Sequence, residues 1–418
     1  MYVDSLRSQL PHGLTDLFFE QAALKTELED LLREVFHRWG YQRIILPTFE
    51  YYDSLTTGAS ALLKEEMYRF FDREGHTLAL RPDMTVPTAR VVGTKLYDQP
   101  LPLHLYYIGN VFRYEEPQAG RRREFTQAGI ELVGADTPEA DAEVVAVAID
   151  ALHSMNIAQF QINLGQVAFL RGILSEEALG DGDLGRLEQA IHRRNDLELQ
   201  RTLDELGMGG RATHAIRTLP HLCGGRAVLE ESRELCTNAA SCEAIDHLER
   251  VYDLLCAEGV GDHVILDLGQ VRSMAYYTGI TFHGYVKGLG IALCRGGRYD
   301  GLVENFGQRM PAVGFALGVE RAMLVTELPV KDVPDLLMEA SDDPACRQLA
   351  ASARAEGLHV RVDVLGRHGQ ALRNYAQAIG ARRLVCCLGD GRCLLIEDDM
   401  QRELDLQSLK KEITSWKD

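Results

Sequence analysis

Long apolar runs are missing from this sequence. Nowhere do about 18 apolar residues follow one another, so no membrane-spanning helix is expected. Positive charge is in short supply, with 44 Lys+Arg against 62 Asp+Glu and a net charge of −18. Chains that bind nucleic acid over a broad surface usually carry a basic face, because phosphate contact drives their affinity. The acidic balance therefore points toward small molecules and protein partners, and away from a large RNA substrate. Cysteine pairing signals are lacking too. The nine cysteines are an odd number, and no two stand at C-x-x-C spacing. A chain this long has no need of covalent staples, so reduced, partly buried thiols are expected. No cluster of ligands at zinc-site spacing occurs, so no metal and no cofactor are expected. The first residues, MYVDSLRSQLPHGL, lack a basic stretch followed by an apolar one. A leader peptide is therefore not expected, and the expected compartment is the cytoplasm. Repeats and low-complexity segments are absent as well.

What is present is an ordinary globular composition, 46% hydrophobic and 25% charged, which excludes disorder and fibre. The 418 residues suggest two to three domains. Residues 15–39 space Leu24, Leu28, Leu31, Leu32, Val35 and Trp39 as an amphipathic helix stopped by Gly40. A β-prone run, YQRIILPTFE, follows at 41–50. Residues 78–92 predict a strand, a turn and a helix. Residues 101–116 predict a strand, and a loop around Gly120 returns into a second strand ending near Val133. Thr137 can cap the next helix with Pro138 in its first turn. Residues 172–260 are rich in Leu, Glu and Arg at helical spacing and read as a helical insertion. β character resumes at 264–270 and 276–286. Strand candidates in the tail are 359–365, 382–389 and 392–398, after a linker at 329–335.

The most specific stretch is FRYEEPQAGRRREFTQAGIELVG, from Phe112 to Gly134. Arg113 in a strand can hold an α-phosphate by a charge-assisted fork. Phe125 can stack an adenine ring. Gln127 and Glu131 share a face with Phe125, because strand side chains repeat every two residues. A glutamine and a glutamate in one pocket suit an α-ammonium group. Taken alone, such a hairpin also fits a solvated β-turn.

It does not stand alone. This stretch resembles the second motif of class II aminoacyl-tRNA synthetases in its histidyl-tRNA synthetase form. RGGRYDGLVENFG and PAVGFALGVERAMLV, within 295–325, resemble that family's third motif, with Arg321 on the γ-phosphate side. Tyr276 and Tyr277 lie in YYTG, which resembles its histidine-pocket signature. The motifs come in order across most of residues 10–328. The resemblance implies an α+β fold: a class II synthetase-like antiparallel sheet flanked by helices over 1–328, holding the 172–260 insertion. It also implies a homodimer.

The sequence departs from the synthetase pattern where a substrate would be activated. The signature R-G-L-D-Y-Y is Arg272, Ser273, Met274, Ala275, Tyr276, Tyr277, so a carboxylate is lost. The upstream L-R-P-E-G-T is Leu80, Arg81, Pro82, Asp83, Met84, Thr85. LRPDMT, REF-x-QAGIELVG, PEADAEVV and FQINLGQVAFLRGIL are similar to the regulatory subunits of ATP phosphoribosyltransferase, synthetase paralogues that do not charge tRNA. That resemblance implies a non-catalytic regulatory role in histidine biosynthesis, required for activity and for histidine feedback inhibition. The implied partner is a short-form ATP phosphoribosyltransferase catalytic subunit, with histidine as effector, in a hetero-oligomer that the family makes a hetero-octamer. The residues expected in a histidine-pocket-like site are Asp83, Thr85, Arg113, Gln127, Glu131, Arg272, Tyr276 and Tyr277. Arg113, Phe125 and Arg321 are expected at a vestigial ATP site. The alternative is a divergent histidyl-tRNA synthetase that forms histidyl-adenylate. An RNA-binding sensor on the same fold is a third reading.

The tail, 335–418, is expected to be a small α/β domain, degenerate and anticodon-binding-like. It holds 12 Lys+Arg and 14 Asp+Glu, so it lacks the basic balance that gripping RNA favours. His37, His153 and His263 read as ordinary surface or core histidines.

Overall fold

The structure, a computed structural model, describes residues 8–58, 61–115, 122–177, 179–271, 276–329, 332–389, 391–398 and 400–416. The chain forms two compact units, Met1–Pro329 and Val330–Asp418. No helix among the described residues is long and apolar enough to cross a membrane.

The first unit is organised by a sheet of nine strands among the described residues. In chain order they are β1 (Gln42–Arg43), β2 (Leu103–Phe112), β3 (Glu124–Val133), β4 (Phe160–Gln166), β5 (Cys223–Gly224), β6 (Val264–Asp267), β7 (Ile280–Val286), β8 (Cys294–Arg298) and β9 (Ala312–Gly318). Across the sheet they run β1-β2-β3-β9-β8-β7-β4-β6-β5. Every pairing is antiparallel except β1 with β2 and β4 with β6.

Strand alternation gives the sheet two different faces. On one face Ala128, Ile130 and Leu132 of β3 join Phe282 and Phe315 in the main core. Helices α1 (Glu20–Arg38), α3 (Pro138–Ser154) and α4 (Ala239–Ala257) belong to the same core, through Leu28 and Leu32, through Val144 and Ile149, and through Leu248 and Val251. On the other face α2 (Thr85–Lys95) packs Val86, Ala89 and Val92 near Leu105, Val133 and Ala312. The polar residues of the candidate site lie on this second face.

Several local expectations meet their physical test. Thr137 accepts a hydrogen bond from the Ala140 N–H at 3.3 Å and Pro138 opens α3, the expected cap. The helix expected over 15–39 is shorter at its start. Phe19 has φ 50° and makes no side-chain cap, so α1 begins at Glu20. The run 41–50 does not stay one strand. It carries the two-residue β1 and a separate strand, Phe49–Tyr51, with Pro47 between them. Proline has no N–H to give a ladder, which divides the run between two sheets. Phe49–Tyr51 pairs instead with Thr77–Leu80 in a three-stranded sheet.

The second unit has five described strands in the order Val360–Val362, Leu336–Met338, Arg383–Gly389, Arg392–Glu397 and Met400–Asp405. The first two and the third pair in parallel, and the rest are antiparallel. One expectation is corrected here: the cysteines are not all free. Cys346, on helix Pro344–Ala355, and Cys387, on a strand, are joined as a disulfide with Cα atoms 6.7 Å apart. The pairing comes from a helix crossing the sheet, and 41 residues of separation hid it from any spacing rule.

Candidate binding site

The site is built on the sheet face opposite the main core. In β3 the alternation puts Phe125, Gln127, Gly129 and Glu131 on one side. Glu131 pairs across to Gly314 of β9, which pairs to Gly297 of β8, then to Thr281 of β7 and Gly165 of β4. Small residues in this row leave the floor open. A Cβ on Gly314 would stand on the carboxylate of Glu131. One on Gly297 would lie 2.8 Å from the Tyr277 ring. Glycine is required at both positions for these side chains to lie over the sheet.

Glu131 is 1% exposed. Tyr107 of β2 donates its hydroxyl to Oε1 at 3.0 Å, and the Tyr299 hydroxyl donates to Oε2. Burial pushes the Glu131 carboxyl up to about 7, against the pull of the Tyr299, Thr85 and Tyr107 hydroxyls. A carboxyl so placed titrates near neutrality, which marks it as a functional candidate. Tyr276 stacks on Tyr299 with centroids 5.5 Å apart at 21°, and Tyr277 meets Tyr276 edge-on at 5.0 Å. Burial raises all four tyrosine hydroxyls, so they remain neutral donors.

The other wall comes from the start of α2. Burial also raises the Asp83 carboxyl, while the Arg113 charge and the N–H groups of Val86 and Thr85 oppose the rise. Asp83 accepts from the Val86 N–H at 3.2 Å. Gln127 accepts from the Met84 N–H at 2.9 Å, which ties β3 to this turn. Met84 is 2% exposed and packs with Tyr107, Val111 and Leu46, so the residue standing where the synthetase pattern has glycine fills the wall with hydrophobic bulk. Arg81 is a structural residue: it donates to the carbonyls of Asn110 at 2.7 Å and Leu46 at 2.6 Å.

Asp83, Thr85, Arg113, Gln127, Glu131, Tyr276 and Tyr277 are therefore brought together in one buried cluster, the candidate pocket. Arg272, with Ser273, Met274 and Ala275, lies outside the described residues. Phe125 and the two arginines also meet. The guanidinium carbons of Arg113 and Arg321 lie 5.5 and 5.9 Å from the Phe125 ring centre. Arg113 donates to the Pro82 carbonyl at 2.8 Å. A small cavity bordered by Arg122, Phe125, Gly318, Glu320, Arg321 and Leu324 adjoins them.

Two pocket residues, Tyr107 and Tyr299, escape a reading of the sequence. Tyr107 needed the register of β2 on β3, in which Leu105 faces Glu131 and Tyr107 faces Gly129. Tyr299 needed the register of RGGRY, in which Arg295, Gly297 and Tyr299 alternate to one side.

The pocket is braced from behind. Arg298 is 3% exposed and points to the opposite face. Its Nη2 lies 2.8 Å from Asp141 Oδ1, and its Nη1 donates to the Ala135 carbonyl at 3.0 Å and to Asp300 at 3.2 Å. Asp141 is also 2.6 Å from His247 Nε2 on α4. Asp300 accepts the Thr278 hydroxyl at 2.7 Å, and the Thr278 N–H reaches the Arg298 carbonyl at 2.7 Å. On the other side of the same turn Arg171 donates to the Tyr277 carbonyl at 2.9 Å.

This geometry has known relatives. A family model described as histidyl-tRNA synthetase matches residues 13–322. A protein named ATP phosphoribosyltransferase regulatory subunit from Thermoanaerobacter sp. (strain X514) is 44% identical over 327 residues, 78% of this chain and 85% of the relative. Another so named, from Moorella thermoacetica, is 41% identical over 378 residues, 90% of this chain and 97% of the relative. The chain belongs to the ATP phosphoribosyltransferase regulatory subunit family. A crystal structure described as an ATP phosphoribosyltransferase regulatory subunit/histidyl-tRNA synthetase from Bacillus halodurans C superposes with a TM-score of 0.82 at 31% identity. It covers 91% of this chain and 98% of that one. The regulatory subunit family and the synthetase-like α+β fold thus both agree with the reading of the motifs.

Proposed function

We propose that this chain is the non-catalytic, histidine-responsive subunit of an ATP phosphoribosyltransferase, acting on a separate short-form catalytic subunit in the cytoplasm. The observation that carries the proposal is the buried Glu131 within its ring of tyrosines. A free amino acid offers an ammonium that an ionised Glu131 can pair with, while Gln127 and Asp83 stand beside it. Tyr276 and Tyr277 provide flat apolar walls with hydroxyl tips, which suit an imidazole. Arg272 is assigned to the same pocket by its place in the signature. Histidine bound here shifts the partner's activity through a coupling free energy, typically about 1–3 kcal/mol. The chain acts as a homodimer within a hetero-oligomer.

The test is reconstitution. The chain is mixed with a catalytic subunit that lacks its own regulatory domain, and the transferase is assayed with and without histidine. Activity should rise on pairing and fall when histidine is added. A pair no more active than the catalytic subunit alone overturns the proposal.

One observation favours a second reading, a divergent histidyl-tRNA synthetase. Arg113 and Arg321 still flank Phe125 as an ATP clamp would require. Histidine-dependent ATP–pyrophosphate exchange decides between the two, and robust exchange would establish the enzyme.

Arg171 holds the pocket's tyrosine turn by one charge-assisted bond, so it positions Tyr277 from outside the pocket. Removing it in Arg171→Ala is expected to weaken histidine binding about tenfold, the worth of a hydrogen bond from a charged group. Calorimetry of histidine binding checks this, and Arg171→Lys should recover part of the loss. An unchanged affinity would show that the turn holds its shape without Arg171.

A further inference from the structure

Away from the pocket, two histidines from distant parts of the chain meet at the surface. His153 lies at the C-terminal end of α3. His263 closes the short 3-10 turn between α4 and β6, where the helical segment returns to the sheet. Their Nε2 atoms are 3.1 Å apart, and the rings lie at 73° to each other. Both rings are oriented by Phe160 at the start of β4. His263 stacks on it with centroids 4.5 Å apart at 12°, and His153 meets it edge-on at 5.0 Å.

Two imidazole nitrogens facing each other at this distance share one proton at most, donated from one ring to the lone pair of the other. Burial and then the His263 charge lower the pKa of His153, so that ring favours the neutral, lone-pair-bearing form. Around a tetrahedral ion, imidazole nitrogens at about 2.0–2.1 Å from the metal lie about 3.3 Å from each other. The pair's spacing therefore differs from that arrangement by only a few tenths of an ångström, and binding a cation also turns each ring by about 35° so that both lone pairs aim at an ion off the N–N line. Imidazole suits the late first-row divalent ions. Among the described residues no further His, Cys, Asp or Glu ligand atom lies within 4.8 Å of both nitrogens, so water would complete the coordination.

We propose that His153 and His263 form a two-imidazole site for a late first-row divalent cation, which clamps the end of α3 to the turn through which the helical segment rejoins the sheet. The site is independent of the histidine pocket. A cation bound there stabilises the folded chain by mass action.

The probe is Ni²⁺, titrated calorimetrically into the full chain at neutral pH in buffer free of histidine and other chelators. His153→Ala and His263→Ala are run beside it, and the cysteines give all three proteins the same background. The expected result is one Ni²⁺ site per chain whose affinity falls about tenfold or more in each variant, together with a Ni²⁺-dependent rise in melting temperature that both variants lose. His153→Gln keeps a polar side chain beside Phe160 and serves if the alanine variant fails to fold. A parent chain that binds no Ni²⁺, or a folded variant that binds it as the parent does, overturns the proposal.

Discussion

Glutamine in place of Glu131 is expected to weaken histidine binding about 30-fold or more at about pH 8, the loss that follows removal of one partner from a buried charge pair. The same substitution should make the unliganded protein more stable at that pH. The Glu131 carboxyl is raised from 4.5 to about 7 in the folded chain, chiefly by burial. A raised pKa means that the folded state holds this proton more tightly than the unfolded state. The associated stability is fully present below about 4.5 and is lost as pH climbs through about 7. At higher pH the ionised carboxylate costs up to about 3 kcal/mol. Glutamine carries no such penalty, and its amide can still meet the hydroxyls of Tyr107 and Tyr299. Urea unfolding of parent and Glu131→Gln should therefore diverge at about pH 8 and converge toward about pH 5. Histidine affinity of the parent should fall as pH drops below about 7, since Glu131 must ionise to receive the ammonium. Thienylalanine, whose ring does not titrate in this range, isolates that dependence from the imidazole's own. Equal affinity in parent and variant would remove Glu131 from the proposed site.

The gain in stability and loss of binding in one substitution would be the mark of a residue kept for function. That combination could be foreseen only partly from the residues. The alternation that places Phe125, Gln127 and Glu131 together was legible, because it needs only one strand. The tyrosines bonded to Glu131 were not. Tyr107 comes from β2 and Tyr299 follows directly on β8, on either side of β3 and β9, and only the register Glu131–Gly314–Gly297 lines them up. The glycines of that row carry no side chain to announce a pocket, and their meaning appears when a Cβ is placed on them and collides with Glu131 or Tyr277. The motif order did disclose the sheet and the family, since motif residues sit at fixed places on that sheet. Local signals failed where tertiary contacts decide: at Pro47 and at the Cys346–Cys387 pair.

The buried brace behind the pocket shows the same limit and has the second large consequence. Asp141, Arg298 and His247 belong to a helix, a strand and a second helix, and no spacing rule joins them. Asp141 is fully buried, and Arg298 is nearly so. Asp141→Ala would leave the Arg298 charge in the core with only Asp300, Asp136 and the Ala135 carbonyl to receive it. Breaking a buried pair in this way costs about 3–5 kcal/mol, because the remaining charge is desolvated without compensation. For a unit of this size the thermal midpoint is expected to fall by roughly 4–7 °C. The double substitution Asp141→Leu/Arg298→Met removes both charges and should restore much of that loss, since an apolar replacement spares the desolvation. Histidine binding should separate the two roles of the brace. Arg298 holds Asp300, and Asp300 holds the Thr278 hydroxyl next to Tyr277. The double variant is therefore expected to melt near the parent yet to bind histidine more weakly, because its tyrosine turn has lost its anchor. A double variant that recovers both stability and affinity would show that the buried charges stabilise the fold without positioning the pocket.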